Sequence, residues 1–417
     1  MYRHFVRDKF IPLSHNVINP FNNGAPGKMT NFVPYAHQSI DDSDVAAVVD
    51  ALRQNVITRG PLVEAFERQV CEYVGARYAV AFSNGSAALY AAFQAGGIKP
   101  GDRVVSSPNT FIATVAGGVR AGASLTLVDI DEMGNMDVKA AAELLRQPHS
   151  RGRTFLVPVH FAGVAVDMSA LDELITEPCA FVIEDAAHAI GSLYPDGSPV
   201  GNCRYSDLTV FSFHAIKNIT CGEGGMITTN DSSLDARLRT IRDSGIERTA
   251  LVNHPAPEPW YYEVQDISSN YHMTEAQAAL GLSQLRRIDE FAARKAALVA
   301  AYREKLLDMP AVKLPSADAD AYSHRHLFCI SIDFDVLEKT RTEVMNGLKE
   351  QGIGSQYHYV PLYLHPALAS ALGPSLPKFP SMENHFKTSL SIPFSSAMKE
   401  AEVDRVVQSL RTTLYQM

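Results

Sequence analysis

Apolar residues in this chain fall into short unbroken runs, set between longer stretches with helical spacing. Tyr78-Ala79-Val80-Ala81-Phe82, Arg103-Val104-Val105-Ser106, Phe181-Val182-Ile183 and residues 125–130, 154–160, 208–213 and 226–229 show no in-and-out alternation. Such runs predict strands covered on both faces. Between them, residues 62–74 place apolar side chains at 62, 63, 66, 70 and 74, one face of a helix. Residues 40–52 start with acids, which favour a helix N-terminus. Helices are also expected at 138–145, at 234–242, from Asn109 onward, and after a Thr274 cap. Strands alternating with helices predict a mostly parallel sheet between helical layers.

The pattern changes near residue 282. One long helix is expected over about 282–309, then strands at 327–332 and near 355–359 with helices between. That predicts a smaller α+β domain. The expected divisions are an extension at 1–29, a large domain at 30–290 whose first segment contributes to the small domain, and a small domain at 291–417. No internal repeat or low-complexity segment interrupts this order.

Composition narrows the classes. The 417 residues are 46% hydrophobic and 20% charged, which predicts a folded globular chain. A net charge of −9 argues against nucleic acid as the main partner. No run approaches the 18 or so apolar residues that span a bilayer. The first residues lack the apolar core of a signal peptide, and Cys71, Cys179, Cys203, Cys221 and Cys329 form no close pair. A reduced, cytoplasmic protein without membrane insertion is the expectation.

Two polar side chains stand where strands should end. Asp185 follows one apolar run and Lys217 follows another, the edge at which open α/β sheets bind ligands. Taken singly, either is an ordinary capping acid or solvated lysine. Together they suit pyridoxal phosphate (PLP): the amine forms a Schiff base with the aldehyde, and the carboxylate keeps the ring nitrogen protonated. Glycines at 222, 224 and 225 would let backbone approach a ligand. A second feature is Ser83-Asn84-Gly85-Ser86 between a strand and an Ala-rich helix, a phosphate site in outline. Gly85 permits close approach, and Ser86 can cap the helix or donate its hydroxyl. Phe111 is either core or a flat partner for a ring. The Gly-x-Gly-x-x-Gly fingerprint of nicotinamide enzymes is missing.

With these residues in place, the chain resembles the DegT/StrS sugar-nucleotide aminotransferases, a branch of the aspartate-aminotransferase-like PLP enzymes of fold type I. The match runs over about 30–412. It is carried by EDAAHAIGS (184–192) with FSFHAIKNITCGEGG (211–225), and by GPLVEAFE, SNGSAAL, PNTFIATV, VDIDEMGNMD, PVHFAG, NYHMTEAQAALGLSQL and QGIGSQYHYVPLYLHPA in order. The resemblance implies an α/β fold with a mainly parallel seven-stranded sheet in the large domain. It implies Lys217 and Asp185 as catalytic residues. For the cofactor it implies Gly85, Ser86 and Ser212 at the phosphate, Phe111 stacked on the ring, and His188, one helical turn past Asp185, near its hydroxyl. Asn270 would reach the phosphate of a neighbouring subunit, making the active site that of a homodimer. No metal is implied.

The branch with the nearest pattern aminates C4 of UDP-linked 4-keto-6-deoxy sugars, as in pseudaminic acid synthesis, with L-glutamate as donor. Arg59, His326, Tyr357, His358 and Tyr359 are candidates for gripping the nucleotide-sugar. His272 stands where many members carry Arg. Alternatives within the fold are amination at C3, a sugar dehydratase, and a non-catalytic binding protein. The dehydratases carry His at the lysine position, so Lys217 speaks against that class.

Overall fold

Two amphipathic helices, α1 (Asp42–Leu52) and α2 (Pro61–Val74), lead into the first strand. The computed structural model describes residues 32–147, 152–174, 180–254 and 258–416, so the expected 1–29 extension lies outside the described residues. The order then runs β1 (Tyr78–Phe82), α3 (Gly85–Gly96), β2 (Arg103–Ser106), α4 (Ala113–Arg120), β3 (Ser124–Leu127), α5 (Val138–Leu145), β4 (Thr154–Val157), α6 (Met168–Leu174), β5 (Phe181–Asp185), β6 (Leu208–Ser212) and β7 (Gly225–Thr229). These seven strands make one sheet in the order β1-β7-β6-β5-β4-β2-β3. Neighbours from β6 to β3 are parallel, while β7 is antiparallel to both β6 and β1. Six strands therefore point one way.

Both faces of this sheet are buried, which is why its strands read as unbroken apolar runs. Ala81, Val105, Leu156 and Phe211 join the core on one face with Phe66 and Phe213. Their neighbours Phe82, Val104, Phe155 and Val210 join the core on the other, with Phe93 and Leu125.

The chain continues through α7 (Ser232–Arg242), a short hairpin of β8 (Ile246–Glu247) and β9 (Glu263–Val264), α8 (Glu275–Leu285) and α9 (Ile288–Lys305). A second sheet follows, antiparallel, in which β10 (Val312–Lys313) and β12 (Ser389–Ile392) flank β11 (Phe328–Ile332). The helices α10 (Arg341–Glu350), α11 (Ala369–Leu372), α12 (Pro380–Thr388) and α13 (Glu400–Tyr415) complete the chain. This sheet has its own core, where Tyr302 of α9 stacks on Phe328 at 5.1 Å. Val33 bridges Ile353 there, and the Tyr35 carbonyl accepts from Phe394 N. The segment before α1 thus packs into the core beside the smaller sheet.

Four expectations are corrected. The long helix over 282–309 is two helices: Arg287 leaves helical geometry (φ −110°, ψ 9°) and its side chain turns to Asp41, Asp44 and Glu290. Residues 355–359 are not a strand; Gln356 alone bridges Ser391, and the partner strand of β11 is β12. Helix α4 starts at Ala113, not Asn109, because Asn109 is drawn into a bond from its Nδ2 to the Gly134 carbonyl at 3.0 Å. After Asp185 the chain makes a turn, not a helix.

Candidate active site

The carboxyl-terminal ends of β1, β2, β4, β5 and β6 open on one rim because the strands share a direction. Phe82 and Ser212 both pair with Gly225, which brings the end of β6 against the start of α3. A Cβ on Gly85 would stand 2.8 Å from Ser212 Cβ, and one on Gly225 would stand 2.4 Å from the Asn84 carbonyl oxygen. Only glycine permits these approaches. Asn84, rather than Ser86, caps α3, its Oδ1 accepting from Ala87 N at 2.8 Å. The amides of Gly85 and Ser86 have no carbonyl within the helix to bond. With Ser212 against Gly85 and the Ser86 side chain in the first turn, they outline a cradle suited to an anion at the positive end of the helix dipole.

Asp185 ends β5 and is buried, 4% exposed. Its Oδ2 accepts from Thr114 Oγ1 at 2.6 Å and its Oδ1 from Ala187 N at 3.1 Å. Lys217 sits in a turn closed by its own N–H bonding the His214 carbonyl at 2.9 Å. Burial pushes its amine down to about 8, and the charge of Asp185 works in the opposite direction. A desolvated amine that is partly neutral near pH 8 is a competent nucleophile and base.

His188 is buried, and its imidazole is held well below the usual range by burial first, then by the nearby charges of Lys217, His358 and Lys295. Its Nδ1 accepts from Ala162 N at 3.3 Å, so the neutral ring carries its proton on Nε2 and donates it to the Tyr359 hydroxyl at 3.2 Å. The Tyr359 hydroxyl is in turn held above the usual range, by burial and then by Asp185. Phe111 lies in the loop before α4 and is 57% exposed, so it is not core; its ring is 6.5 Å from that of Tyr359.

The expected substrate residues divide into two neighbourhoods. His326 is 2% exposed and its ring lies 4.5 Å from His188. His358 is also buried, Nδ1 sharing a proton with Ser391 Oγ at 2.8 Å. Tyr357 is turned away from them, with the Arg341 guanidinium 4.4 Å over its ring. Arg59 instead pairs with Asp243 at 2.8 Å, an acid that also holds Arg248 and His272. Asn270 bridges Asp243 and accepts from His272 N at 3.1 Å. This second group adjoins the cradle through Ser83 N, which donates to the Tyr271 carbonyl at 2.7 Å. His272 is drawn below the usual imidazole range, chiefly by burial.

Two side chains in contact with this rim carry no signal in the sequence. Thr114 is one of many threonines, marked only by its i,i+4 spacing from Thr110. Lys295 has the spacing of a solvated lysine on a helix, yet it is buried and donates to Asn218, the residue after Lys217.

PLP needs an amine for its aldehyde, a carboxylate for its ring nitrogen, an anion cradle and a flat ring beside it. The rim presents Lys217, Asp185, the Gly85–Ser212 cradle and Phe111, so the residues present fit that group.

Comparison with known proteins agrees. The model of the DegT/DnrJ/EryC1/StrS aminotransferase family matches residues 38–411. The spore coat polysaccharide biosynthesis protein SpsC of Bacillus subtilis is 34% identical over 92% of this chain and 97% of its own. Among solved structures, Helicobacter pylori PseC, an aminotransferase involved in the biosynthesis of pseudoaminic acid, superposes with a TM-score of 0.83 at 26% identity, over 93% of this chain and all of its own. DesI, solved in the presence of its TDP-sugar product, gives 0.79 at 29% identity over 94% and 95%. The fold is that of the type I PLP enzymes, and the chain belongs to the DegT/DnrJ/EryC1/StrS aminotransferase family as a PLP-dependent aminotransferase.

Proposed function

We propose that this enzyme moves an amino group from L-glutamate to the keto carbon, C4 in preference to C3, of a nucleotide-linked 4-keto-6-deoxy sugar, with UDP as the favoured nucleotide. The observation that carries the reading is the buried Lys217 within the field of Asp185, shortly after Ser212, which closes on Gly85. The polysaccharide and pseudoaminic acid roles of SpsC and PseC support the sugar class, and the TDP-sugar of DesI supports a nucleotide-linked one.

When bound, PLP supplies an electrophilic carbon and an electron-withdrawing ring. Asp185, fixed by Thr114 Oγ1 and Ala187 N, would hold the proton on the ring nitrogen. Lys217 would hold the aldehyde, and its Nζ, once free, would take the proton from the donor's Cα as base and give it up as acid. Phe111 would cover a ring face, and His188, bonded to Tyr359, would stand near the ring hydroxyl. Arg59, His326, Tyr357 and His358 are the residues we assign to the sugar-nucleotide, Arg59 first, because a guanidinium suits phosphate.

Arg59, Asn270 and His272 form the more open neighbourhood, and we propose that they serve the cradle of a second copy in a homodimer. We place the domain division near residue 290, early in α9, and the working compartment in the cytoplasm. No described helix is long and apolar enough to cross a membrane.

The test is a panel of UDP-, TDP- and GDP-linked keto sugars assayed for glutamate-dependent amination, with Lys217→Ala alongside. Lys217→Ala should lose the visible band of the loaded protein and at least about a thousandfold of turnover, as expected for removal of both anchor and base. A normal band with normal turnover in that variant would refute the reading.

A further inference from the structure

We propose that Lys295 is a positioning residue for Lys217: it ties down Asn218, the next residue along the chain, and places a second cation behind the reacting amine. The proposal rests on the assignment of Lys217 above.

Lysines on helices ordinarily run their stems along the surface and leave the ammonium in water. Lys295, on α9, is 4% exposed. Its Nζ donates to Asn218 Oδ1 at 2.8 Å and lies 5.7 Å from the centre of the Phe394 ring. No carboxylate pairs with it among the described residues. An interior cation without an anion is costly, and an apolar side chain would fill the same place without that cost.

What the arrangement supplies is geometry and field. Asn218 Nδ2 lies within bonding distance of three carbonyl oxygens, those of His188 (3.3 Å), Ile190 (3.2 Å) and His324 (2.7 Å). One amide thus joins the loop after Asp185, the loop of Lys217 and the chain entering β11. Lys295 occupies the remaining oxygen of that amide. Without it, the buried Asn218 Oδ1 loses its partner.

The field follows from the same placement. Lys217 lowers the proton affinity of Lys295, which burial and this repulsion hold down to about 7. Coulomb coupling is mutual, so while Lys295 holds its proton, below about pH 7, that proton disfavours one on Lys217. The other titratable groups facing the pair are Asp185 from β5, His188 from the loop after it, His324 and His326 before β11, His358, and His214 in the turn of Lys217, itself 3.8 Å from Glu223. The imidazoles of His188, His324, His326 and His358 are kept neutral by burial and by the lysine charges. Asp185 is therefore the one anion facing the two amines among the described residues.

The experiment is a pH titration of the visible absorbance of the PLP-loaded protein, for wild type, Lys295→Met, Lys295→Gln and Lys295→Arg. Gln keeps a donor for Asn218 but no charge; Met keeps neither. Both should raise the midpoint, by about one pH unit for a tenfold change in proton affinity. Arg, charged throughout, should hold the midpoint at or below that of the wild type. A role in packing alone would change the melting temperature and leave the midpoint still. Met and Gln variants that load and titrate like wild type overturn the proposal. Where neither folds, the Arg variant decides, and a raised midpoint there overturns it equally. Lys217→Ala run in parallel separates the two readings: a retained band removes the Lys217 assignment and this proposal with it. A lost band with unshifted Lys295 variants removes only the proposal.

Discussion

Thr114 Oγ1 donates to Asp185 Oδ2 at 2.6 Å and meets Thr110 Oγ1 at the same distance. The carboxylate therefore has one oxygen fixed by a side chain and the other by the Ala187 amide, which sets the direction in which it can meet a ring nitrogen. Replacing Thr114 by Val keeps the shape and removes the donor. The expected cost is about 1–3 kcal/mol, read as roughly a fivefold to 150-fold loss in PLP affinity with little change in melting temperature. Equal affinity in the variant would show that Thr114 does not orient Asp185. Asp185 and Lys217 were legible as a pair because one ends a strand and the other follows closely on one, and both apolar runs are unmistakable. Thr114 was not, since its meaning lies in a contact 71 residues away.

Among the elements, α2 shows how far a cap can come from. Gly60 offers no side chain, and the open amides of the helix are taken by Glu275, at the start of α8: Gly60 N at 2.9 Å and Leu62 N at 2.8 Å. A Cβ on Gly60 would stand 2.8 Å from that carboxylate. The bond pair fixes α2 to α8 beside Thr58 and Arg59. Glu275→Ala should destabilise the fold by about 2 kcal/mol, the range for buried donors left unpaired, seen as a lower urea midpoint at constant slope. A variant as stable as wild type would mean that water replaces the carboxylate. The capping box at Thr274 and Gln277 was readable locally. The break between α8 and α9 was not, because its cause is the pull of Asp41 and Asp44 on Arg287, from the other end of the large domain's sequence.

For the whole molecule, the interior is rich in neutral imidazoles. His188, His324 and His326 are held well below the usual range and His358 down to about 3, in each case chiefly by burial. Their folded-state proton affinity is depressed, so below about pH 6.5 the unfolded chain binds protons that the folded chain does not. Stability is then fully present above that pH and falls as pH drops through it. Each imidazole contributes a slope of up to about 1.4 kcal/mol per pH unit. Urea unfolding between pH 5 and 7.5 should show a steep acid-side loss, and His358→Gln should reduce the slope by about one proton. A wild-type curve flat above pH 5 would contradict the burial of these rings.

The proposed homodimer has a test at the same scale. Lys217→Ala and Asn270→Ala are each expected to be weak or inactive. Mixed and reassembled, they should regain up to about a quarter of wild-type activity, since random pairing gives half heterodimers, each with one intact site. No recovery on mixing would argue that each chain builds its site alone.

The sequence by itself determined the parallel sheet, the strand that ends at Asp185 and the one that leads to Lys217, the glycine turn at Asn84 to Ser86, and the family. All of these rest on local pattern: apolar runs, turn residues and short contiguous motifs. Only the tertiary structure decided that Asn84 caps α3 so that the Ser86 hydroxyl is left to the cradle. It alone decided that Thr114 holds Asp185, that Arg59 belongs with Asp243 and not with His326, and that Lys295 lies inside. Those facts depend on which distant segments the two sheets bring together, and on how much water is left around a charge once they have met.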